Sequence, residues 1–269
     1  MEFINSYKKL VKKETFQKKV RNKLKSLLIK RLSFKKKDNE NENIIFPFWH
    51  HVFDDEIKNF RIQIEFMKNY GDFISYDESI TLLKEGIPKN QKYFCLSFDD
   101  GFKNIFDNVV EIFLKNKIPC TFFIPTSFID NQREDSGQVF FNDKELQMEF
   151  LSWNDCEKIV SEKLFDIGSH SVNHKLISKL SHDDCFYELE NSKNIIEKKL
   201  KVECKHFAPP VGDYSAHRDL DIVKKAKYLS LSTTERGIMN NLNTDTYGIK
   251  RHHLLANWQN YYLKYFFSY

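Results

Sequence analysis

The sequence SFDDG, residues 97–101, places two adjacent acidic residues between an apolar run and a glycine. The preceding run, residues 93–96 (YFCL), is typical of a buried parallel strand, and a helical pattern begins at Phe102. Parallel α/β folds carry their chemistry at the carboxyl ends of strands, so both carboxylates are expected there. Because adjacent strand residues point to opposite sides, Asp99 and Asp100 are expected to have different roles. Taken alone, the Asp-Gly dipeptide favours a simple turn.

A second motif, residues 168–174 (GSHSVNH), directly follows a short predicted strand. Its two histidines, His170 and His174, supply two imidazoles to accompany the Asp100 carboxylate. A hydrolytic metal site needs about three protein ligands and an open position for water, and this donor set suits Zn²⁺ and also Co²⁺ or Mn²⁺. Two solvated loop histidines are the alternative for the H-x-x-x-H pattern by itself. The ordered pair of motifs favours the metal site.

Together the two motifs resemble those of the polysaccharide deacetylase family, also called carbohydrate esterase family 4. The family's T-F-D-D-G motif matches residues 97–101 with Ser97 in place of Thr, and its H-[ST]-x-x-H motif matches residues 170–174. The resemblance covers roughly residues 44–255. It implies an α/β fold, a distorted, incomplete (β/α) barrel of about seven parallel strands. The alternation of strand and helix patterns indicates only a parallel sheet and does not distinguish an open sheet from a barrel.

The resemblance also implies an activity. It implies a metal-dependent hydrolase that removes an N-acyl group, most often acetyl, from an amino sugar in a polysaccharide or lipid-linked saccharide. Asp100, His170 and His174 would bind one divalent metal, most readily Zn²⁺, and Asp99 would be the general base for the attacking water. A structural Asp99 that caps the following turn is the alternative for that residue. A catalytically inactive sugar-binding homologue is the alternative for the whole chain.

The family's third motif, often F-R-P-P-Y-G, corresponds to residues 207–212 (FAPPVG). Ala208 stands where most relatives have Arg, and Val211 stands where they have Tyr. The Val211 backbone N–H is expected to donate to the oxyanion of the tetrahedral intermediate. A Pro-rich turn without a catalytic role is the alternative. The missing Arg leaves open how Asp99 is held, and the family's fourth motif, around D-x-x-D-W, is not found.

The last predicted strand, residues 248–255, offers a replacement for that Arg. Alternation puts Arg251 and His253 on one face, among apolar neighbours. A cation on an inward face needs a partner, so Arg251 is predicted to pair with Asp99. His253, which corresponds loosely to the family's L-x-H motif, is predicted to protonate the leaving amine. Which of His252 and His253 lies in the site, and whether either is more than an ordinary histidine, stays open.

Residues 49–52 (WHHV) resemble the Y-H-x-V run found after the first strand in many relatives. His50 is expected to line the sugar pocket or to hydrogen-bond the metal site. Trp49 is expected either to stack on the substrate or to pack in the core.

The chain of 269 residues divides into a basic amphipathic extension with a linker, residues 1–43, and a catalytic domain, residues 44–269. Residues 1–37 contain 14 Lys and Arg against 2 Asp and Glu, and the rest of the chain is mildly acidic. We expect this extension to bind an anionic membrane surface. A nucleic-acid arm is the alternative, disfavoured by the apolar face. Two apolar stripes at helical spacing comprise Phe3, Ile4, Tyr7, Leu10 and Val11, then Phe16, Val20, Leu24, Leu27 and Leu28.

Five cysteines without a C-x-x-C pair suggest reduced thiols. The N-terminal region has no apolar core typical of a secretory signal, and no apolar run approaches the ~20 residues of a membrane span. We therefore expect a cytoplasmic protein, peripheral on the inner face of the membrane.

The long irregular segment 126–152 is expected to carry function or cover a site. Ser152 with Asp155, and Ser181 with Asp184, predict the starts of two helices. Strands are predicted at residues 44–48, 73–75, 120–124, 166–168, 206–208, 229–232 and 248–255, in addition to the strand that contains the apolar run 93–96.

Overall fold

The computed structural model describes residues 3–12, 15–35, 42–132, 135, 139–140 and 146–268. Within these residues the strands, in chain order, are β1 (Asn43–Ile45), β2 (Pro47–Trp49), β3 (Asp72–Phe73), β4 (Lys92–Phe94), β5 (Leu96–Phe98), β6 (Cys120–Ile124), β7 (Phe165–Ser169), β8 (His206–Phe207), β9 (Ser230–Leu231) and β10 (His252–His253).

The helices surround the strands. They are α1 (Tyr7–Lys12), α2 (Phe16–Ser33), α3 (Ile57–Lys68), α4 (Tyr76–Glu85), α5 (Lys103–Ile105), α6 (Glu111–Asn116), α7 (Trp153–Ser161), α8 (His182–Leu200), α9 (Asp219–Lys225) and α10 (Asn260–Phe267). A π turn at Phe106–Val110 joins α5 to α6. Both predicted caps are present, because the side chains of Ser152 and Ser181 accept hydrogen bonds from the backbones of Asp155 and Asp184.

All paired strands are parallel. Seven form one sheet in the order β10-β2-β5-β6-β7-β8-β9, and β1, β4 and β3 form a short second sheet. The second sheet prolongs the first at its amino end, since β1 leads directly into β2 and β4 into β5. The Cys95 N–H, at the junction of β4 and β5, bonds the Ile45 carbonyl at 2.9 Å. The expected distorted, incomplete (β/α) barrel of about seven parallel strands is therefore confirmed.

The segment before β10 closes the ring. Ile249 and Arg251 donate their N–H groups to Leu231 and Glu235 on the β9 side, at 3.0 and 2.9 Å. His252, the next residue, donates instead to Phe46 on the β2 side at 2.8 Å. Only His252–His253 has regular strand pairing, so the prediction of a strand over 248–255 was too long. The reason is that this segment bonds to one neighbour with its first half and to the other with its second half.

Two apolar clusters follow from the alternation of strand residues. Phe98 and Phe122 belong to the larger cluster, which lies between the strands and helices such as α3, α7 and α8. Phe123, the neighbour of Phe122 in β6, belongs to a second cluster that joins the opposite strand faces to α4. The strands are thus covered on both faces, as expected for a parallel sheet.

The described part of the N-terminal extension lies against the domain. The Asp55 carboxylate accepts hydrogen bonds from Ser6 and from the first N–H groups of α1, at 2.9–3.2 Å. Ile4 is buried in a third apolar cluster, against which Tyr7 and Leu10 also pack. The first apolar stripe is therefore partly covered by the protein's own domain. The proposed boundary at residues 38–43 falls mostly outside the described residues.

The second stripe is different. Helix α2 packs on α10 through the face that carries Ile29, and the Ser26 and Tyr261 hydroxyls are 2.5 Å apart. The opposite face, with the whole of the second stripe, is exposed. Among the described helices, none is both long enough and apolar enough to cross a bilayer.

All five cysteines are unpaired and buried, and burial raises the pKa of each thiol. We predict that the native protein is not labelled by a thiol reagent such as Ellman's reagent over minutes at pH 8, and that all five thiols react after denaturation in guanidinium. Labelling of one or more thiols in the native protein would show that the core around that cysteine opens readily.

Candidate active site

The two acidic residues of SFDDG leave β5 in different directions because of the turn that they begin. Asp99 continues the hydrogen-bonding pattern of the strand, because its backbone N–H donates to the Trp49 carbonyl at 2.9 Å. Asp100 and Gly101 both have positive φ, 73° and 68°. This conformation is costly for an aspartate, and strain of this kind concentrates at functional sites. Both carboxylates are buried, yet each has its own set of partners.

Asp100 meets the two histidines of the second motif. Its Oδ1 lies 3.4 Å from Nε2 of His170 and 3.2 Å from Nε2 of His174. One ligand atom from each residue lies within 4.8 Å of the others. Zinc holds its ligand atoms about 2.0–2.2 Å away, which separates neighbouring ligands by about 3.3 Å in a tetrahedron. The donor types and spacings therefore fit a divalent metal.

Hydrogen bonds orient the His170 ring and fix the backbone of His174. Nδ1 of His170 donates to the Ala208 carbonyl at 2.6 Å, which directs Nε2 toward Asp100. His174 has a φ of 53°, and its N–H bonds the Ser171 hydroxyl at 3.1 Å. The residue that replaces the family's usual arginine, Ala208, thus supports a histidine through its backbone.

Glu188 on α8 holds the loop between the two histidines, and sequence reasoning did not find it. This buried carboxylate accepts hydrogen bonds from the N–H groups of Val172 and Asn173 at 2.9 and 2.7 Å, and from the Asn173 side chain at 2.7 Å. The sequence did contain a signal for this residue, because the helical spacing places Glu188 between Cys185 and Ser192 on the buried face of the helix. A buried acid on such a face needs partners.

The charge of Asp100 is stabilised by its surroundings. Burial alone would raise its pKa, but the neighbouring imidazoles, His50 foremost, hold that pKa well below its usual value. The carboxylate is therefore ionised at neutral pH, as a metal ligand must be.

Asp99 forms a two-pronged ion pair with Arg251, as predicted. Both guanidinium NH₂ groups lie 2.8 Å from the carboxylate oxygens, and both side chains are buried. Nε of Arg251 donates to the Thr233 carbonyl at 2.9 Å, and the guanidinium lies 4.1 Å from the centre of the Phe48 ring. Burial lowers the pKa of Arg251, but Asp99 outweighs that effect and the pKa is raised.

His253, rather than His252, faces the site. Nε2 of His253 lies 2.9 Å from Nδ1 of His50, whose other nitrogen is 3.9 Å from Asp100. His252 is fully buried against Phe266 and Phe267. Burial lowers the pKa of both His50 and His253, so the pair is neutral at rest.

Trp49 lies away from the substrate side. It is fully buried, stacks on Phe98, and donates from its indole to Gln63 at 3.3 Å. Of the two roles expected for Trp49, this placement gives it core packing and not a substrate contact.

The site opens into a cleft of about 430 Å³. Val139 and Phe140, from the described part of segment 126–152, form part of its wall, and the Phe140 ring lies 4.8 Å from that of His174. Val211 also lines the cleft, with a φ of 60° and an exposed side chain. Its role as an oxyanion donor stays a prediction. The remaining lining residues are Phe48, His50, Asp99, Asp100, His170, His174, Thr234, Arg236 and His253.

Comparisons with known proteins agree with this geometry. The sequence pattern of the polysaccharide deacetylase family matches residues 86–231. The poly-beta-1,6-N-acetyl-D-glucosamine N-deacetylase of Staphylococcus aureus is 26% identical over 236 residues, covering 78% of this chain and 76% of the relative.

Two solved structures share the fold. A Streptococcus pyogenes deacetylase, PplD, in complex with acetate is 20% identical with a TM-score of 0.65, covering 84% of this chain and 98% of that one. IcaB from Ammonifex degensii is 15% identical with a TM-score of 0.69, and the match covers 86% of this chain and 99% of IcaB.

We predict that Asp100→Ala abolishes binding of Zn²⁺ and that Glu188→Gln weakens it about 10–100-fold, the usual effect of losing a partner that orients a metal ligand. The Zn²⁺ dissociation constant is measured by competition with a chromophoric chelator. Glu190→Gln, an exposed glutamate on the same helix, is the matched control and should bind like the natural chain. Unchanged affinity in Glu188→Gln would remove Glu188 from the site.

Proposed function

This chain belongs to the polysaccharide deacetylase family, and from that premise we propose that it is a metal-dependent N-deacetylase acting on N-acetylglucosamine residues of a polysaccharide. One observation carries the proposal. The possible metal site of Asp100, His170 and His174 lies in the same cleft as the carboxylate of Asp99, which is held separately by Arg251. The curated relative's name indicates a β-1,6-linked polymer as the first substrate to test.

Asp100, His170 and His174 are the proposed metal ligands. A divalent metal bound there would polarise the acetamide carbonyl and acidify the attacking water. Zn²⁺ fits the donors best, with Co²⁺ or Mn²⁺ as alternatives.

Asp99 is the proposed general base, which accepts a proton from the attacking water. Its ion pair with Arg251 fixes the carboxylate in the cleft wall and keeps the two oxygens from rotating away. Arg251 lies later in the sequence than the third motif, in which most relatives carry an arginine and this chain has Ala208. The arginine thus comes from a different position in the sequence, while its contact with the proposed base, Asp99, is kept.

His253, paired with His50, is the proposed acid that protonates the leaving amine. Because burial lowers the pKa of both imidazoles, the pair must gain a proton during the reaction, and the proton that Asp99 takes from the attacking water is its source. The pair would then give this proton to the more basic amine as the C–N bond breaks. The Val211 N–H is the proposed second stabiliser of the oxyanion.

We predict that Asp99→Asn lowers acetate release at least about 100-fold, because positioned bases typically contribute 10²–10⁴-fold, while bound metal is retained. Acetate is measured enzymatically with β-1,6-linked N-acetylglucosamine oligomers, and metal by elemental analysis. Asp107→Asn, a partly exposed acid on the π turn, serves as the matched control.

Near-natural rates in Asp99→Asn would exclude Asp99 as the base. If the natural, metal-loaded chain released no acetate from these oligomers or from lipid-linked saccharides, the inactive sugar-binding homologue would be the better description.

We further propose that α2 binds an anionic membrane surface, which would place the enzyme peripherally on the inner face of the membrane. Phe16, Leu24 and Leu28 are 81, 62 and 57% exposed on the face that points away from the domain. The same helix has seven Lys and Arg residues and no acidic ones, and each basic residue near the surface contributes about 1 kcal/mol. Ile4, Tyr7 and Leu10 of the first stripe pack on the domain and are therefore not part of this contact.

The test is co-sedimentation of the full chain with vesicles of neutral and of anionic lipid. We predict that the natural chain binds anionic vesicles and that the double variant Leu24→Gln, Leu28→Gln, with unchanged charge, binds at least about tenfold more weakly. Leu242→Gln, which removes a 97% exposed leucine elsewhere, should bind normally. Equal binding by the double variant would contradict insertion, and tight binding to DNA would favour the nucleic-acid arm.

A further inference from the structure

A groove separate from the catalytic cleft lies between the N-terminal helices and the segment that follows β10. It has a volume of about 330 Å³, close to that of the cleft, and within the range of small-ligand sites. Tyr7 and Asn22 form part of one wall, and Asn257, Trp258 and Tyr261 form part of the other. The function proposed above does not use it.

The wall after β10 is built rigidly. The Asn59 side chain donates to the carbonyls of Ala256 and Trp258 at 2.6 and 2.7 Å. Gln63, fully buried beneath this segment, donates to the carbonyls of Leu255 and Trp258 at 2.9 and 2.7 Å. The groove is therefore preformed on this side, which reduces the ordering cost of binding.

The groove adjoins the catalytic cleft. Leu255 in the groove lies only two residues, or about 7 Å of extended chain, after His253 in the cleft. Arg236 connects the two, since it lines the cleft, donates to the His253 carbonyl at 2.6 Å, and lies 5.9 Å from the centre of the Trp258 ring. The two cavities therefore lie next to each other, separated by Arg236 and the end of β10.

The lining chemistry selects the occupant. Aromatic rings alternate with amide side chains, which matches a sugar ring with its apolar C–H faces and its hydroxyl rim. Among the described lining residues only Lys25 is charged, so the groove lacks the cations that a nucleic acid requires. An acyl chain fits the groove poorly, because it would cover these amide side chains without offering them hydrogen-bonding partners.

We infer that this groove binds sugar units of the substrate chain next to the unit that reacts, making the enzyme prefer polymers over short saccharides. The inference rests on the proposed function for its ligand. Helix α2 then has two roles on opposite faces, because Asn22, Ser26 and Ile29 face the domain while the exposed apolar stripe faces away.

The test compares the affinities of a β-1,6-linked N-acetylglucosamine hexamer and dimer by calorimetry, in the full natural chain kept free of metal with EDTA to prevent turnover. We expect the hexamer to bind at least tenfold tighter than the dimer. Adding Asn22→Ala or Trp258→Leu should reduce that ratio several-fold. Asn22 is exposed on a helix, so we expect Asn22→Ala to fold normally. This variant therefore tests the groove even if Trp258→Leu perturbs the local structure by removing the stacking of Trp258 on Tyr262.

Asn194→Ala, an equally exposed helical asparagine on α8, is the matched control and should keep the ratio. Equal affinities for hexamer and dimer, or an unchanged ratio in both groove variants, would overturn the inference. Acetate release by the natural chain is measured separately on both oligomers. Its absence would defeat the proposed function, whereas release together with equal affinities would defeat only the groove.

Discussion

The buried ion pair between Asp99 and Arg251 joins two residues that are 152 positions apart in the sequence. Asp99 is the middle residue of the SFDDG motif and directly follows β5. Arg251 lies in the segment whose backbone hydrogen-bonds first to the β9 side and then to the β2 side of the sheet. Removing one partner of such a pair typically costs about 3–5 kcal/mol, because the remaining charge is left buried without compensation. The contact that positions the proposed base is therefore also a contact on which closure of the barrel depends.

The residues of the proposed metal site are held largely through backbone groups. Positive φ angles at Asp100, Ser171, His174 and Val211 place strained residues around one cleft, and such conformations cost about 1–3 kcal/mol each. They persist because the surroundings overdetermine them. The Ala208 carbonyl fixes one imidazole, and Glu188 fixes the loop that carries both. A site arranged in this way tolerates a change of side chain at Ala208 while keeping its geometry.

Helix α2 has two faces with different environments. One face packs on α10 and forms a wall of the groove beside the cleft, and the other presents apolar side chains among basic ones. The proposed membrane contact and the proposed sugar groove use different faces, so they do not compete.

The sequence by itself determined the strand order along the chain, the two motifs and the donor types, because these depend on local periodicity and on residue chemistry. It also indicated the Asp99–Arg251 pair, since a cation on an apolar strand face must have a partner. Only the tertiary structure decided that Trp49 packs in the core, that His253 and not His252 faces the site, and that Glu188 holds the histidine loop. These outcomes depend on which elements become neighbours across the barrel, and periodicity along one strand or helix carries no information about the partner on the other side.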